Sequence, residues 1–412
     1  MLAYNLILYG TLFLIAYAYR PVFLLTKELK TRPKWVWRIL FLATSLFIYG
    51  CTAFFATHRE EYKDVQWVWD FTIVGAITLA VTLLSICILQ FIADLTLLGK
   101  RAVKGPAERD ENGNKISRGT FLNKVALGVG AIMLGSFLWG TTKGIYGWRI
   151  LKNQLSFDNL PKAFDGMKIV QISDLHLGSF NKKFGPLEEA VEMINELEPD
   201  YIVFTGDLVN ESPDEAEPWI NVFSKLKAKK GKFSVLGNHD YGWGTTSEED
   251  KVKNSIGVAE INRKMGFQVM LNEHTILEHE GEKIGLVGVE NWGYSEKNWF
   301  PTKGDYKASV KGMEDVPFKI LLSHDPTHWD HHILEKENVD LTLAGHTHGG
   351  QMGISIPGLL EISAAKLFYD RYAGLYSKGK QHLYVNRGMG FLIFPGRVGM
   401  PPEITLHELN RA

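Results

Sequence analysis

The chain has 412 residues, of which 45% are hydrophobic, and its formal net charge at pH 7 is -1. This length allows a large folded domain and a second region, and a charge near zero gives no support for a nucleic-acid partner. The two cysteines, Cys51 and Cys87, both lie in apolar runs, which excludes a disulfide framework or a thiolate metal site in the rest of the chain.

Long apolar runs dominate the chain up to about residue 147. Since a bilayer requires roughly 20 apolar residues per helix, four of these runs are candidate spanning helices. They cover residues 2–19, 39–56, 71–93 and 125–139. The fourth run reaches the required length when it is extended to Tyr146. We therefore predict a membrane domain over residues 1–147, an all-α bundle of about four transmembrane helices.

The distribution of basic residues between these runs predicts their orientation. The second connecting loop carries only Arg59 and Lys63, whereas basic residues accumulate in the first and third loops. The first contains Arg20, Lys27, Lys30, Arg32, Lys34 and Arg38, and the third contains, among others, Lys100, Arg101, Lys104, Arg109, Lys115 and Arg118. Because basic loops stay in the cytoplasm, we predict a multi-pass protein of the cell membrane whose second half is extracytoplasmic.

After a predicted short linker over residues 148–165, the chain alternates short β-rich runs with helical stretches up to residue 412. Strands are predicted at 168–172, 201–204 and 233–236, and helices at 187–197 and 218–226. Such a βαβαβ series builds a largely parallel sheet that collects ligands at the carboxyl ends of its strands. Shorter runs at 275–278, 284–289, 320–322, 341–343, 383–385 and 403–409 predict a mixed second sheet packed on the first.

Five short segments with metal-binding side chains follow the predicted strands. They are Asp174-Leu-His176, Gly206-Asp207, Gly237-Asn238-His239-Asp240, Ser323-His324 and Gly345-His-Thr-His348. One Asp-x-His is a weak signal, but five such segments in order are hard to obtain by chance. Oxygen donors and imidazoles are the ligands that a pair of divalent cations needs, so the pattern predicts a dinuclear metal hydrolase. We expect Gly206, Gly237 and Gly345 to let the backbone turn sharply behind the ligands.

The order D-x-H, G-D, G-N-H-[DE], H and G-H-x-H resembles the calcineurin-like metallophosphoesterase superfamily. The resemblance covers roughly residues 168–409. It is closer still to the bacterial membrane-associated subgroup similar to YkuE and YaeI, through A-G-H-T-H-G-G-Q at 344–351, Arg387-Gly388 and Pro402-Glu403-Ile404. It implies an α/β fold, a four-layer αββα metallophosphoesterase sandwich over residues 166–412.

The resemblance also implies roles for individual residues. One metal ion would be held by Asp174, His176 and His348, the other by Asn238, His324 and His346, and Asp207 would bridge the two. The metals of the family include Mn, Fe, Zn and Ni, and mixed nitrogen and oxygen ligands do not choose between them. A hydroxide that bridges the metals would attack phosphorus, while His239 would stabilise the transition state or protonate the leaving oxygen. Asp240 is expected to orient His239, with a plain turn residue as the alternative.

These observations predict a membrane-anchored phosphohydrolase that cleaves a phosphodiester or phosphomonoester. A lipid headgroup or a component of the cell envelope is a candidate substrate. The alternatives are a pyrophosphatase for a lipid-linked nucleotide resembling UDP-diacylglucosamine, and a non-catalytic binding platform on the same fold. A transporter would need ionisable residues in mid-span, which the apolar runs lack. Arg387 and Arg397 are candidates either for binding a substrate phosphate or for structural salt bridges.

Overall fold

The computed structural model describes residues 2–27, 31–58, 66–104, 118–243, 245, 247–293, 301–356 and 359–412. The chain divides into two compact units, Met1–Thr141 and Thr142–Ala412. Several of the basic residues used to predict the membrane orientation, namely Lys30, Arg59, Lys63, Arg109 and Lys115, lie outside the described residues.

The first unit consists of long apolar helices. Its helices are α1 (Leu2–Thr26), α2 (Thr31–Thr57), α3 (Gln66–Lys104) and α4 (Arg118–Thr142). Among the described residues, three segments are long and apolar enough to cross a bilayer, Pro33–Phe55, Thr72–Ile92 and Phe121–Thr142, and α1 contributes a shorter apolar segment, Gly10–Thr26. The predicted bundle of about four transmembrane helices is thereby confirmed, at three to four spans.

The helices of this unit are joined by apolar packing and by polar contacts. Ile15 of α1 packs in a buried cluster with Leu79 and Leu83 of α3. The carboxylate of Asp94 in α3, just after the segment Thr72–Ile92, accepts a hydrogen bond from the Tyr17 hydroxyl at 2.9 Å and pairs with Arg20. Asp94 therefore links α1 to α3 at one end of their contact.

The second unit contains two six-stranded sheets. The first sheet has the order β1 (Arg149–Phe157), β14 (Glu403–Arg411), β2 (Met167–Ile172), β3 (Tyr201–Phe204), β4 (Gly231–Ser234) and β5 (Gln268–Val269). The second has the order β12 (Gly374–Lys378), β13 (Gln381–Val385), β9 (Leu341–Ala344), β8 (Lys319–Leu322), β7 (Glu282–Gly288) and β6 (Glu273–His279). A separate two-stranded ribbon consists of β10 (Gly353–Ile356) and β11 (Leu360–Ser363). The helices are α5 (Phe184–Glu196), α6 (Ile220–Phe223), α7 (Glu248–Lys264) and α8 (Tyr306–Ser309).

Alternate side chains of the central strands enter different apolar layers. Ile169 points into a buried cluster shared with Leu343 of the second sheet, whereas its neighbour Val170 packs in a cluster with Ile194 of α5. On the far side of the second sheet, Leu321 packs against Trp329, which lies in a single turn of π-helix. Because both faces of the central strands are buried, these strands are mostly apolar, as parallel strands covered on both sides are. The four-layer αββα sandwich is thus confirmed.

Some predicted elements are wrong. Residues 149–157, assigned to a linker, form the edge strand β1, which pairs in parallel with β14 and buries Leu155 and Phe157. Residues 403–409, assigned to the second sheet, form β14 of the first sheet, antiparallel to β2. The helix predicted at 218–226 is reduced to the four residues of α6 after a short 3-10 turn. The ribbon and the 17-residue helix α7 were not predicted.

Parallel pairing determines where the loops emerge. β2, β3 and β4 are mutually parallel in the first sheet, as are β7, β8 and β9 in the second. The carboxyl ends of neighbouring parallel strands meet at one edge of a sheet, where ligands are collected. All five segments singled out in the sequence follow strands of these two sets.

Candidate metal centre

The predicted ligands converge from five loops into one buried site. Asp174 and His176 follow β2, Asp207 follows β3, Asn238 follows β4, His324 follows β8, and His346 and His348 follow β9. Among the described residues, two groups place metal-binding atoms within 4.8 Å of one another. The first consists of Asp174, His176 and His348, and the second of Asp207, His324 and His346.

In the first group, two imidazoles face each other. Nε2 of His176 lies 3.1 Å from Nε2 of His348, which in turn lies 3.6 Å from Oδ1 of Asp174. Nδ1 of His176 donates to the side-chain oxygen of Asn210 at 3.1 Å, so that Nε2 carries the lone pair in the neutral ring. The lone pair of His176 and the carboxylate oxygen of Asp174 thus lie near the same point, and both atoms are of a kind that binds metal ions. The first group therefore fits a metal ion.

The second group also directs ring nitrogens and oxygens toward one point. Nε2 of His324 lies 3.1 Å from Oδ2 of Asp207 and 3.2 Å from the side-chain oxygen of Asn238, which is 2.8 Å from Nδ1 of His346. Nδ1 of His324 donates to the carbonyl of Thr205 at 2.7 Å, which again leaves Nε2 for a ligand role. Asn238 thus adds a neutral oxygen to the second group.

Asp207 stands between the two groups. Its Oδ2 is 3.6 Å from Nε2 of His176 in the first group and 3.1 Å from Nε2 of His324 in the second. Its Oδ1 accepts the backbone N–H of His239 at 2.8 Å, which fixes the plane of the carboxylate. A carboxylate in this position can reach both groups with one oxygen.

The ligand loops are held in unusual backbone conformations. Five of the predicted ligands have positive φ: Asp174 (49°), His176 (45°), Asp207 (59°), His346 (76°) and His348 (52°). Such conformations cost about 1 to 3 kcal/mol each in a residue with a side chain, and they cluster at functional sites. The surrounding fold therefore imposes the arrangement on these residues.

The expectation about the glycines is correct for only one of the three. Gly206 has φ +97°, a conformation that requires glycine. Gly237 and Gly345 are needed for a different reason, because a Cβ at either position would collide with the carboxylate of Asp207 or Asp174 respectively. They let the backbone approach the ligands closely.

The charges of the protein groups suit a cation. Burial lowers the pKa of His176 to about 3 and that of His348 well below its usual value, so both rings are neutral. Burial alone would raise the pKa of Asp207, but the charges of His324 and His239 outweigh it and hold the pKa well below the usual value. Despite burial, the charge of Asp207 in turn raises the pKa of His324 to about 10, so a cation bound there would take the place of the proton on Nε2.

The structure corrects the role expected for Asp240. Nδ1 of His239 donates to the carbonyl oxygen of Asn210 at 2.8 Å. The Asp240 carboxylate instead accepts the backbone N–H groups of Asp207, Leu208 and Gly237 at 2.8 to 2.9 Å. Burial and the charge of Asp207 raise the pKa of Asp240. Asp240 therefore holds the loop that carries Asp207, and the expectation that it orients His239 is wrong.

Three residues with a role in this site were missed by sequence reasoning. Asn210 fixes both His176 and His239, and Tyr369 and Asp325 lie 2.8 and 3.4 Å from Nε2 of His346. Asn210 follows Asp207 by three positions, and Asp325 follows His324 directly, so proximity to a ligand was the available signal. Tyr369 is not close in sequence to any of the ligands, so this signal could not identify it.

Arg387 and Arg397, whose roles the sequence left open, both form contacts that stabilise the fold. Arg387 forms ion pairs with Glu361 and Glu403. Arg397 is buried and donates to the carbonyl oxygens of His348 and Gly390 at 3.0 and 2.9 Å. Arg397 therefore supports the loop that carries His348, and Arg387 joins β11 to β14.

Further histidines lie apart from the two groups. The rings of His328, His331 and His332 surround Trp292, with centroid distances of 4.3 to 6.1 Å. His328 is buried and bonds to the Ser323 hydroxyl at 2.9 Å. None of the three belongs to the two groups of metal-binding residues.

Comparison with known proteins identifies the family. The sequence profile of the calcineurin-like phosphoesterase family matches residues 167–350, and that of a probable calcineurin-like phosphoesterase transmembrane domain matches residues 2–145. The metallophosphoesterase YkuE of Bacillus subtilis is 33% identical over 314 residues, which are 72% of this chain and 98% of YkuE.

Two further relatives are similar to this chain over most of its length. A transmembrane protein with metallophosphoesterase domain from Danio rerio is 25% identical over 388 residues, 92% of this chain and 82% of that protein. The phosphodiesterase YaeI of Escherichia coli is 29% identical over 269 residues, 64% of this chain and 89% of YaeI. The chain therefore belongs to the calcineurin-like phosphoesterase family and is a membrane-spanning, metal-dependent hydrolase of phosphate esters.

Proposed function

We propose that the chain is a phosphohydrolase in which two divalent cations, one in each ligand group, act together on a phosphodiester or phosphomonoester. The observation that carries the proposal is the position of Asp207, whose Oδ2 lies within 3.6 Å of ligand nitrogens of both groups. A shared carboxylate offsets the repulsion between two nearby cations and fixes their spacing.

The ligand groups support this proposal by their composition. Asp174, His176 and His348 would hold one cation, and Asn238, His324 and His346 the other, with Asp207 common to both. When bound, the two cations supply a water of lowered pKa as the nucleophile and neutralise the charge that develops on the phosphoryl oxygens. Mn, Fe, Zn and Ni are all compatible with these ligands.

In this proposal, His239 transfers a proton to the leaving oxygen. Its Nδ1 bonds to a carbonyl oxygen, which can only accept, so Nδ1 carries a hydrogen atom. Nε2 is then the atom that exchanges a proton with the leaving oxygen. The indole of Trp243 stacks on the ring of His239 with a centroid distance of 4.6 Å and keeps its plane fixed. Asp240 serves as a positioning residue for the loop of Asp207.

The test compares purified full-length Asp207→Ala, His239→Ala and a control, His279→Gln, in β6. Each variant is assayed on bis(p-nitrophenyl) phosphate with each candidate metal. We expect both site variants to lose about 100-fold or more in kcat, the range typical of general acid–base groups, and the control to keep its activity. Metal analysis should give two equivalents for the wild type and fewer for Asp207→Ala. Retained activity in both site variants would reject the assignment.

A cavity beside the site favours esters with a sizeable leaving group. It has a volume of about 440 Å³ and is lined by Tyr369, which contacts His346, and by Asp330, Lys366 and Arg371. Such a cavity also leaves room for the alternative substrate, the pyrophosphate of a lipid-linked nucleotide. Cleavage of a panel of nucleotide-lipids, compared with simple diesters, distinguishes the two.

We also propose that the catalytic unit lies outside the cytoplasmic membrane. The support is the excess of Lys and Arg in the first and third loops of the sequence. Protease added to right-side-out vesicles should then digest the second unit. Protection of that unit, with digestion only after the vesicles are opened, would refute this orientation.

A further inference from the structure

The ribbon of β10 and β11 carries aliphatic side chains on one face. Ile354 pairs with Ile362, and Ile356 pairs with Leu360. Directly opposed residues of an antiparallel pair, and residues two apart along a strand, project from the same face. These four side chains, which we call the apolar ribbon face, are between 42% and 54% exposed.

The opposite face of the ribbon is bound to the rest of the second unit. Glu361 pairs with the buried Arg387 at 2.5 Å, and the hydroxyl of Ser363 donates to the carbonyl oxygen of Gly349 at 2.5 Å. The polar residues therefore point inward and the aliphatic residues outward. A ribbon that faces water has the reverse arrangement.

Other exposed apolar side chains continue this surface along the chain. Leu359 is 79% exposed, and Leu367 and Phe368, shortly after β11, are 82% and 79% exposed. Exposed apolar side chains gathered in one part of the chain indicate an interaction site, because their exposure to water is unfavourable.

We propose that the apolar ribbon face, together with Leu359, Leu367 and Phe368, docks into the interfacial layer of a lipid bilayer. The first support is the covalent chain. The last membrane-spanning segment ends at Thr142 and β1 begins at Arg149. Seven residue steps span at most about 25 Å, so the start of β1 stays near the membrane surface. Arg149 itself donates to the carbonyl oxygen of Ser355 in β10 at 3.4 Å.

The second support is the charge beside the ribbon. Arg149 and Lys152, both exposed on β1, line a cavity of about 300 Å³ together with Ser355 of β10. The two carboxylates of this cavity, those of Glu361 and Glu403, both pair with Arg387. The exposed charges next to the aliphatic residues are thus cationic. Aliphatic side chains bordered by basic residues are the composition of surfaces that bind phospholipid headgroups and the upper acyl region.

Docking of this surface would bring lipids to the candidate metal centre. The hydroxyl of Ser363 bonds to Gly349, which directly follows the ligand His348, and Tyr369, next to Phe368, lies 2.8 Å from Nε2 of His346. The ribbon and its continuation therefore border the loop that carries two ligands. If the proposed function is correct, the substrates then include amphiphilic phosphate esters held in the bilayer.

The docking is tested by photo-crosslinking in the full-length protein. The photoreactive residue p-benzoylphenylalanine replaces Leu359, Phe368 or, as a matched control, Ile256, an apolar residue of α7 that is 53% exposed. Each protein is reconstituted in nanodiscs of phosphatidylethanolamine and phosphatidylglycerol with alkyne-tagged acyl chains. We expect adducts with tagged lipid at positions 359 and 368 to exceed those at 256 by about fivefold or more, as for an interfacial segment.

Other results of this experiment overturn the proposal. Crosslinks between two copies of the chain would assign the surface to self-association, and yields at 359 and 368 equal to that at 256 would leave the surface in water. A single substitution at an exposed position keeps the core intact, and equal elution of the three proteins verifies folding.

The consequence for the substrate has its own test. Ile354→Ser/Ile362→Ser is compared with Val252→Ser/Ile256→Ser, an exposed apolar pair on α7. We expect the ribbon variant to hydrolyse a phosphate diester embedded in nanodiscs about tenfold more slowly, because of weaker interfacial binding, with unchanged activity on soluble bis(p-nitrophenyl) phosphate. Equal rates of the two variants on the embedded ester would refute this consequence. If the wild type cleaves neither substrate, the proposed function fails while the crosslinking result stands independently.

Discussion

Single residues outside the ligand set determine how the ligands face the site. Asn210 accepts a hydrogen bond from Nδ1 of His176 through its side chain and from Nδ1 of His239 through its carbonyl oxygen. One residue thus fixes the tautomer of a ligand and that of the proposed proton donor. Partners of this kind raise the basicity of a ligand and hold its ring in place.

The Tyr369 hydroxyl, 2.8 Å from Nε2 of His346, leads to a prediction for metal binding. Tyr369→Phe removes this partner while keeping the ring, and we expect the affinity of the second ligand group to fall about 10-fold, at the lower end of such effects. The measurement is a metal titration against a competing chelator, with Tyr372→Phe as the control, since the Tyr372 hydroxyl bonds to Glu361. An unchanged affinity in Tyr369→Phe would remove Tyr369 from the site.

The sequence predicted the ligand residues better than their partners. Asp174, His346 and the other ligands were recognisable because their residue types and order are dictated by metal chemistry. The contacts of Asp240 were not, because its carboxylate accepts from backbone N–H groups, which every residue except proline carries. Tyr369 comes from a loop 23 positions beyond His346, and no spacing rule connects the two.

At the scale of elements, strands with apolar side chains throughout were predicted well and edge elements poorly. β3 matches its predicted range because all four of its residues are buried. β1 was taken for a linker because most of its side chains are exposed or half-buried at the sheet edge. The place of β14 in the first sheet depends on pairing with residues more than 200 positions away, for example Thr405 with Gln171. The local sequence pattern does not indicate which of the two sheets a strand joins.

Arg387 ties three elements together and provides a test of the fold. Its guanidinium pairs with Glu361 of β11 and with Glu403 of β14, whose side chain is only 1% exposed. Arg387→Gln leaves a buried carboxylate unpaired, and we expect the free energy of unfolding to fall by about 3 to 5 kcal/mol. Denaturant unfolding of the full-length protein in detergent measures this change.

A surface ion pair provides the control for this prediction. Lys225 pairs with Glu188 at 3.0 Å, with both side chains largely exposed. Lys225→Gln should change the free energy of unfolding by less than about 1 kcal/mol. If Arg387→Gln has as small an effect as Lys225→Gln, then the ion pairs of Arg387 do not hold the ribbon and β14 in place.

At the scale of the whole second unit, the candidate metal centre connects the two sheets. Asp174, Asp207 and Asn238 belong to loops of the first sheet, whereas His324 and His346 belong to loops of the second. The apolar core already joins the sheets at their interior faces. Bound cations would add a second connection at the carboxyl ends of the strands, where five ligands with positive φ hold strained backbone.

Metal removal should therefore destabilise the second unit. A ligand that binds only the folded state stabilises it by about 2.7 kcal/mol at a concentration of 100 times Kd. We expect chelation by EDTA to lower the Tm of the wild type and readdition of metal to restore it, as measured by differential scanning calorimetry in detergent. In Asp207→Asn, which keeps the size of the side chain but weakens the shared ligand, the difference between chelated and metal-loaded protein should shrink. An equal difference in wild type and variant would mean that the stabilising metal binds elsewhere, and that Asp207 does not join the two ligand groups.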